Sequence, residues 1–427
     1  MNKKYIILLL ITLFTINACG GSTTTNNDDE DNNTTTSLTR TFSFTLPLFA
    51  TTNGWNQTAT NATVLDSSDD QILYTFRVLL GDVSDMSAGT VSPQWPYPDV
   101  SYDDFSVAIY ATGSETQDVL LKTYEDDEGS AGADITMVDE DTVTLPARSG
   151  SIRSPGPQST DGDGHTILYD AANNLSYDIW QATTKLSDGA SLGGGQTGTS
   201  VLWAGAVEVF DITGAGVNPD GVSSARASGV PLLAGMIMPE DVAADSIDHA
   251  LGVSIPGPRN TAADPFEPSS DDYFYPVSTT ETDFYSTHDD ALASGQRIRL
   301  KSTIVDSEGE NIDEEDLAPI TQMFLTAMRT YGAIVVDNAG GFSFYAEDYH
   351  TANLDLTDAE VNAMIGASAE ASLDSSKTDW QIIMAKLNEE LEDIPFAYGP
   401  DMEGDDPDAA TITTANYEVV TPATNPD

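Results

Sequence analysis

Residues able to move protons or hold anions gather in one central stretch. His165 closes the run D-G-D-G-H that opens at Asp161, and His249 follows Asp248 in I-D-H-A-L. Tyr177 and Asp178 lie between them in L-S-Y-D-I-W. An imidazole beside a carboxylate suits general acid–base work, because the acid orients the ring and the ring carries the proton. His165 or His249 would be the base, Tyr177 the acid, and Asp163, Asp178 or Asp248 the orienting carboxylate. The same groups could give imidazoles and carboxylates to a transition metal. The competing reading is two buried rings, each satisfied by a backbone carbonyl. Arg297 and Arg299, two residues apart on one strand face, would grip a carboxylate, either of an anionic sugar or of the protein itself. Trp203 would add an aromatic surface for a substrate. Asp161 and Asp163 read as the first half of a calcium loop, since calcium takes roughly 6–8 oxygen ligands and the glycines let the backbone turn tightly. The acidic residue that would close such a loop at EF-hand spacing is absent, and solvated turn carboxylates are the alternative.

Other chemistries have no motif here. The chain has no G-x-S-x-G, no H-E-x-x-H and no P-loop, which leaves serine hydrolase, zincin and nucleotide hydrolase readings without support. Gly193-Gly194-Gly195 lacks a following Lys and reads as a loop. The 427 residues carry 69 acidic against 16 basic side chains, a formal net charge of −53. Nucleic acid is excluded as a partner, because phosphate backbones are bound by clustered Lys and Arg. The charge is spread along the chain and reads as a solvated acidic coat or as an attractor of cations.

The elements that must position these residues read as mainly β. Period-two alternation or short apolar runs predict strands at Thr41 to Leu46, Ile72 to Leu80, Phe105 to Tyr110 and Val119 to Tyr124. Thr166 to Tyr169 and Leu175 to Trp180 flank Asp170-Ala-Ala-Asn-Asn174 as a hairpin. Ser200 to Asp211 reads as one long strand, Pro239 opens a short helix, and Ala250 to Ile255 returns as a strand. Strands also follow at Tyr273 to Pro276 and Arg297 to Leu300. Asp313 to Tyr331 carries an apolar stripe at helical spacing, with Gly332 as its cap. Ala333 to Asp337 and Phe342 to Ala346 form a hairpin by composition. Two further helices are expected over Thr357 to Ala371 and Thr378 to Ile394, and a last edge strand at Tyr417 to Val420. The expected architecture is a β-sandwich or jelly-roll-like body with one amphipathic helix packed on it and a C-terminal helical pair. It occupies residues 38–427 as a single domain, with the helical insertion at about 355–395.

Residues 1–18 have the form of a secretory signal, with Lys3 and Lys4 ahead of an apolar core too short to span a bilayer, which takes roughly 20 residues. Ile16-Asn17-Ala18-Cys19 resembles a bacterial lipobox and contains the only cysteine. The resemblance implies cleavage before Cys19, acylation of that residue and, with Gly20 rather than Asp next to it, retention at the outer membrane. Residues 22–37 contain no apolar side chain and are expected to form a disordered leash, reaching roughly 20–25 Å.

The blocks DGHTILYD, YDIWQA, WAGAVEVFD, SGVPLLAGMIMPEDVAADSIDHALGVSIP, YFYPV, GQRIRLK, MRTYGAIVVDN and NYEVV, in that order, resemble a widespread family of exported bacterial proteins. The family order is D-x-H, YE, GLPLLPGLV, I-x-HAL-F-V, YV-PA, G-R-RL, YG, DN, EVV, and the match runs from about Trp55 to Val420. Asp178 stands where Glu is commoner, and the acidic stretch between Thr351 and Asp408 is an insertion. The resemblance implies a fold unit and an export route but no reaction. Export, a β-rich body, the aromatic-proline run Trp95-Pro96-Tyr97-Pro98 and the His/Asp/Tyr set lead to the expectation of an anchored protein that binds or processes polysaccharide. A non-catalytic adhesin or envelope scaffold with a cation-binding acidic surface is the alternative.

Overall fold

The computed structural model describes residues 40–79, 86–87, 97–103, 105–112, 116–121, 142–146, 164–186, 200–219, 221–282, 284–397 and 416–426. The strands are β1 (Pro98–Ser101), β2 (Ala108–Ala111), β3 (Thr116–Leu121), β4 (Thr142–Pro146), β5 (Thr166–Asp170), β6 (Leu175–Trp180) and β7 (Thr183–Leu186). They continue as β8 (Ser200–Ala204), β9 (Ala206–Asp211), β10 (Leu251–Ile255), β11 (Arg297–Leu300), β12 (Ala333–Asn338), β13 (Phe342–Tyr345) and β14 (Tyr417–Val420). The helices are α1 (Ser68–Leu79), α2 (Pro239–Ala243), α3 (Pro319–Thr330), α4 (Asp358–Met364) and α5 (Asp379–Leu391). The body is mainly β, as the alternation predicts. Its strands form a six-stranded sheet, β1-β13-β10-β12-β11-β14, and two four-stranded sheets, β2-β5-β6-β9 and β4-β3-β8-β7.

Alternation along each strand assigns side chains to layers. Leu251, Val253, Ala333, Val335, Phe342 and Phe344 face the helices and pack with Phe324, Trp380 and Leu387. Ile334, Val336 and Tyr345 face the other way, toward Ile167 and Tyr169 of β5 and the apolar run Val230 to Ala234. Leu168 and Ile179 leave the far side of the β5 sheet and meet Leu145 and Ala204 of the third sheet and Ala182 of the bend that leads into it.

Several expectations are corrected. Ile72 to Leu79 is helical rather than a strand. The run is apolar nearly throughout, so no period shows in its composition. In the fold Ile72, Phe76 and Leu79 join the main core, while Tyr74 and Val78 join a separate cluster with Met86 and Ala291. Thr41 to Leu46 forms no strand. Tyr273 to Pro276 makes only a single bridge, Tyr273 to Ser294. β12 and β13 are not a hairpin, because β10 lies between them, parallel to β12 and antiparallel to β13. The long helix starts at Pro319 instead of Asp313, and Gly332, at φ +72°, follows its C-cap as expected.

The expected strand Ser200 to Asp211 is broken at Gly205, so that β8 and β9 belong to different sheets. A Cβ at Gly205 would lie 2.5 Å from the Trp180 ring, which leaves glycine as the residue that fits this bend. The facing chain bends at the same level, where Gln181 adopts φ +52° between β6 and β7. β6 pairs with β9 and β7 with β8, forming one bent antiparallel ribbon.

Candidate functional site

The register of β5 and β6 decides which expected site residues can meet. Ile167 pairs with Asp178 and Leu168 with Tyr177. Asp178 therefore shares a face with Ile167 and, two residues back, with His165, whereas Tyr177 points to the opposite face beside Val207. Tyr177 is thus separated by the thickness of the sheet from the ring it was expected to assist.

His165 is 2% exposed, and its Nε2 lies 3.1 Å from the carbonyl oxygen of Ala225. Asp178 is fully buried. It accepts the hydroxyl of Ser176 and, 2.6 Å away, the backbone N–H of Leu232. Burial pushes its carboxyl up to about 6, against the pull of those hydrogen bonds and of the charge on Arg226. Arg226, also buried, donates to the carbonyls of Pro231 and Ala234 and lies 4.2 Å over the Tyr345 ring. His165, Asp178 and Arg226 together fasten residues 225–234 between two sheets.

His249 sits elsewhere, just before β10, and is 7% exposed. Its Nδ1 is 2.9 Å from the Ala250 carbonyl and its Nε2 is 3.4 Å from Asp241 Oδ1. Both ring nitrogens thus face acceptors of the protein itself. Burial opposes a charge on the ring, but Asp241, the Ala250 carbonyl and Asp248 outweigh it and raise the ring's pKa. The small cavity beside it is lined by Leu48, Trp55, Asn56, Leu233 and Met238, and includes neither His165 nor Tyr177 nor Asp178. The convergence of two imidazoles and a phenol in one cleft is not found.

The arginines expected to hold a substrate are taken up by the protein, Arg297 buried and Arg299 half-buried. Arg297 is 2% exposed and donates to the carbonyls of Gln57 (2.8 Å) and Gly54 (2.5 Å), with its pKa lowered by burial to about 10. Arg299 grips Glu418 at 2.5 Å and the Ala59 carbonyl at 2.6 Å. Both tie the chain near residues 54–60 to the six-stranded sheet, with protein acceptors in place of a ligand. The backbone of Trp203 lies in β8, paired with Thr183. Asp161, Asp163 and Cys19 lie outside the described residues. Among the described residues no group of three or more His, Cys, Asp or Glu could hold a metal ion, and no helix is long and apolar enough to cross a membrane.

Two constellations have no counterpart in the motif reading. Arg40, at the start of the folded part, donates to both oxygens of Glu347 (2.8 and 3.0 Å) and to both oxygens of Glu240 on α2 (2.8 and 2.5 Å). Burial raises Glu347 to about 7, opposed by the Arg40 charge. The second lies at the surface. Asp348, itself buried, accepts from His350 Nδ1 at 2.9 Å, and its other oxygen is 2.9 Å from Ser106 Oγ. The carboxylate fixes the proton on Nδ1, as an orienting acid does. Tyr349 packs against the His350 ring at 3.6 Å between centroids and donates its N–H to the Tyr102 carbonyl. Phe105, next to Ser106, is 48% exposed and held at φ +58°. Asp348, Tyr349 and His350 are contiguous in the sequence, but their partner Ser106 lies 242 positions away, and Arg40 meets Glu240 and Glu347 across 200 and 307 positions.

No family model matches the chain, and no curated protein or solved structure matches it.

Proposed function

We propose that the chain is a lipid-anchored protein of the bacterial outer membrane that binds extracellular polysaccharide without cleaving it. The observation that carries the non-catalytic reading is the engagement of His165, His249, Asp178, Arg297 and Arg299 with the protein's own backbone and carboxylates. Proton transfer to a substrate requires a group within hydrogen-bond reach of it, and these groups are buried or already paired. The lipobox-like Ile16-Asn17-Ala18-Cys19 and the apolar-free residues 22–37 support the anchor and the leash. The net charge of −53 favours a second reading, a scaffold or adhesin whose acidic surface binds cations.

Expression in a Gram-negative host with labelled palmitate tests the anchor: label is expected on the wild-type chain and absent from Cys19→Ser. Incubating the purified chain with a glycan panel tests the rest. Binding without new reducing ends or unsaturated sugars is expected. Appearance of either product would overturn the non-catalytic reading, and calcium binding without glycan binding would favour the scaffold.

A further inference from the structure

We infer that the surface around Phe105, Tyr349 and the Asp348–His350 pair is a carbohydrate subsite that takes neutral or amine-bearing sugars and rejects uronic or sulfated ones. The inference rests on the polysaccharide-binding reading above and deepens it.

Phe105 is a bulky residue at φ +58°, a region that costs L residues on the order of 1–2 kcal/mol. With the residue 48% exposed, packing returns little of that cost. Strain of this kind, kept where packing does not reward it, marks a surface with another use. A sugar ring has an apolar C–H face and a rim of hydroxyls, and it is held where an aromatic face lies beside fixed polar groups. Phe105 is covalently next to Ser106, whose hydroxyl meets Asp348. Asp348 in turn fixes His350, and Tyr349 packs on that ring. These groups sit on short loops locked to each other by the Ser106–Asp348 contact and by the backbone bonds Tyr349 to Tyr102 and Asp348 to Val107. The spot is therefore pre-ordered, which lowers the cost of binding.

Recognition of uronic or sulfate groups calls for exposed, unpaired guanidinium or ammonium groups. The residues named at the spot, Phe105, Ser106, Asp348, Tyr349 and His350, include no Arg or Lys. Asp103 and Asp348 stand at the spot itself, and the whole chain carries −53. Such a field repels polyanions and attracts cationic polymers.

Titration calorimetry of the full-length, detergent-solubilised protein at low salt tests the assignment. The probes are cello-, chito- and chitosan oligosaccharides against oligogalacturonate. At least one neutral or amine-bearing probe is expected to bind at least tenfold more tightly than oligogalacturonate. Phe105→Ala should weaken that binding tenfold or more without lowering the melting temperature. Wild-type binding that Phe105→Ala leaves unchanged, or a preference for oligogalacturonate, overturns the subsite and leaves polysaccharide binding intact. Failure of the wild-type chain to bind any glycan overturns both.

Discussion

Asp241 and His249 form a buried pair between the short helix α2 and the start of β10, with His249 Nε2 3.4 Å from Asp241 Oδ1. The carboxylate also accepts the N–H of Met238 at 2.9 Å, so one side chain caps the helix and holds the imidazolium. Its neighbour Glu240 holds Arg40. Two consecutive acids of α2 thus fasten two cations from distant parts of the chain.

The His249 pair sets a pH dependence on the alkaline side. The ring's pKa is raised in the folded protein, so its stabilisation is fully present below the unfolded value and is lost as pH rises through the folded one. His249→Ala is expected to cost about 3 kcal/mol at pH 6, because it leaves Asp241 buried without a cation. The difference from wild type should shrink at pH 9. Thermal melts of both proteins at the two pH values check this.

Asp178 acts in the same direction at lower pH. Its folded pKa of about 6 lies above the unfolded value of 3.8, so the folded state binds the proton more tightly and stability falls as pH rises between those values. The full span corresponds to about 3 kcal/mol. Asp178→Asn keeps an acceptor for the Leu232 N–H and should flatten this part of the stability–pH curve. Asp178→Ala leaves that N–H unsatisfied and should destabilise by about 1–3 kcal/mol at pH 4, and by less as pH rises, because the variant lacks the titration that weakens the wild type. Urea midpoints from pH 4 to 8 distinguish them.

Arg40→Met is expected to destabilise by about 3–5 kcal/mol, since it strands Glu240 and Glu347 in the interior. Arg40→Lys should recover only part, because an ammonium cannot form both paired contacts. Denaturant unfolding of the three proteins measures the ordering.

Ionic strength should stabilise this chain. With −53 charges, self-repulsion opposes the compact state, and salt shortens the screening length from roughly 30 Å at 0.01 M to roughly 3 Å at 1 M. The melting temperature is expected to climb between 0.01 and 1 M sodium chloride. Calcium at millimolar concentration should add a further rise that Asp161→Asn/Asp163→Asn removes, as the expected loop requires.

The hairpin over residues 166–180 was legible and folds as its pattern and Asx-rich turn predict, whereas the clean alternation of Thr41 to Leu46 gives no strand. The sequence also misled where burial is two-sided: the second part of α1, Ile72 to Leu79, is mostly apolar, and only the fold shows which residues face which cluster. Partnership was not legible either. D-G-D-G-H and I-D-H-A-L mark two histidines equally, yet one is tied to Ala225 and the other to Asp241, and the motifs carry no information about that choice. Arg40, Glu240 and Glu347 lie 200 and 307 positions apart in the bonds they make, beyond any local pattern.

The bent ribbon of β6–β7 and β8–β9 has a mechanical consequence. Both of its strands cross from one sheet into the next, so the two four-stranded sheets share an uninterrupted pair of chains and cannot slide apart like stacked plates. Loosening either sheet transmits through the bend at Gln181 and Gly205 to the other. In amide exchange, their central strands should therefore open together as one cooperative block.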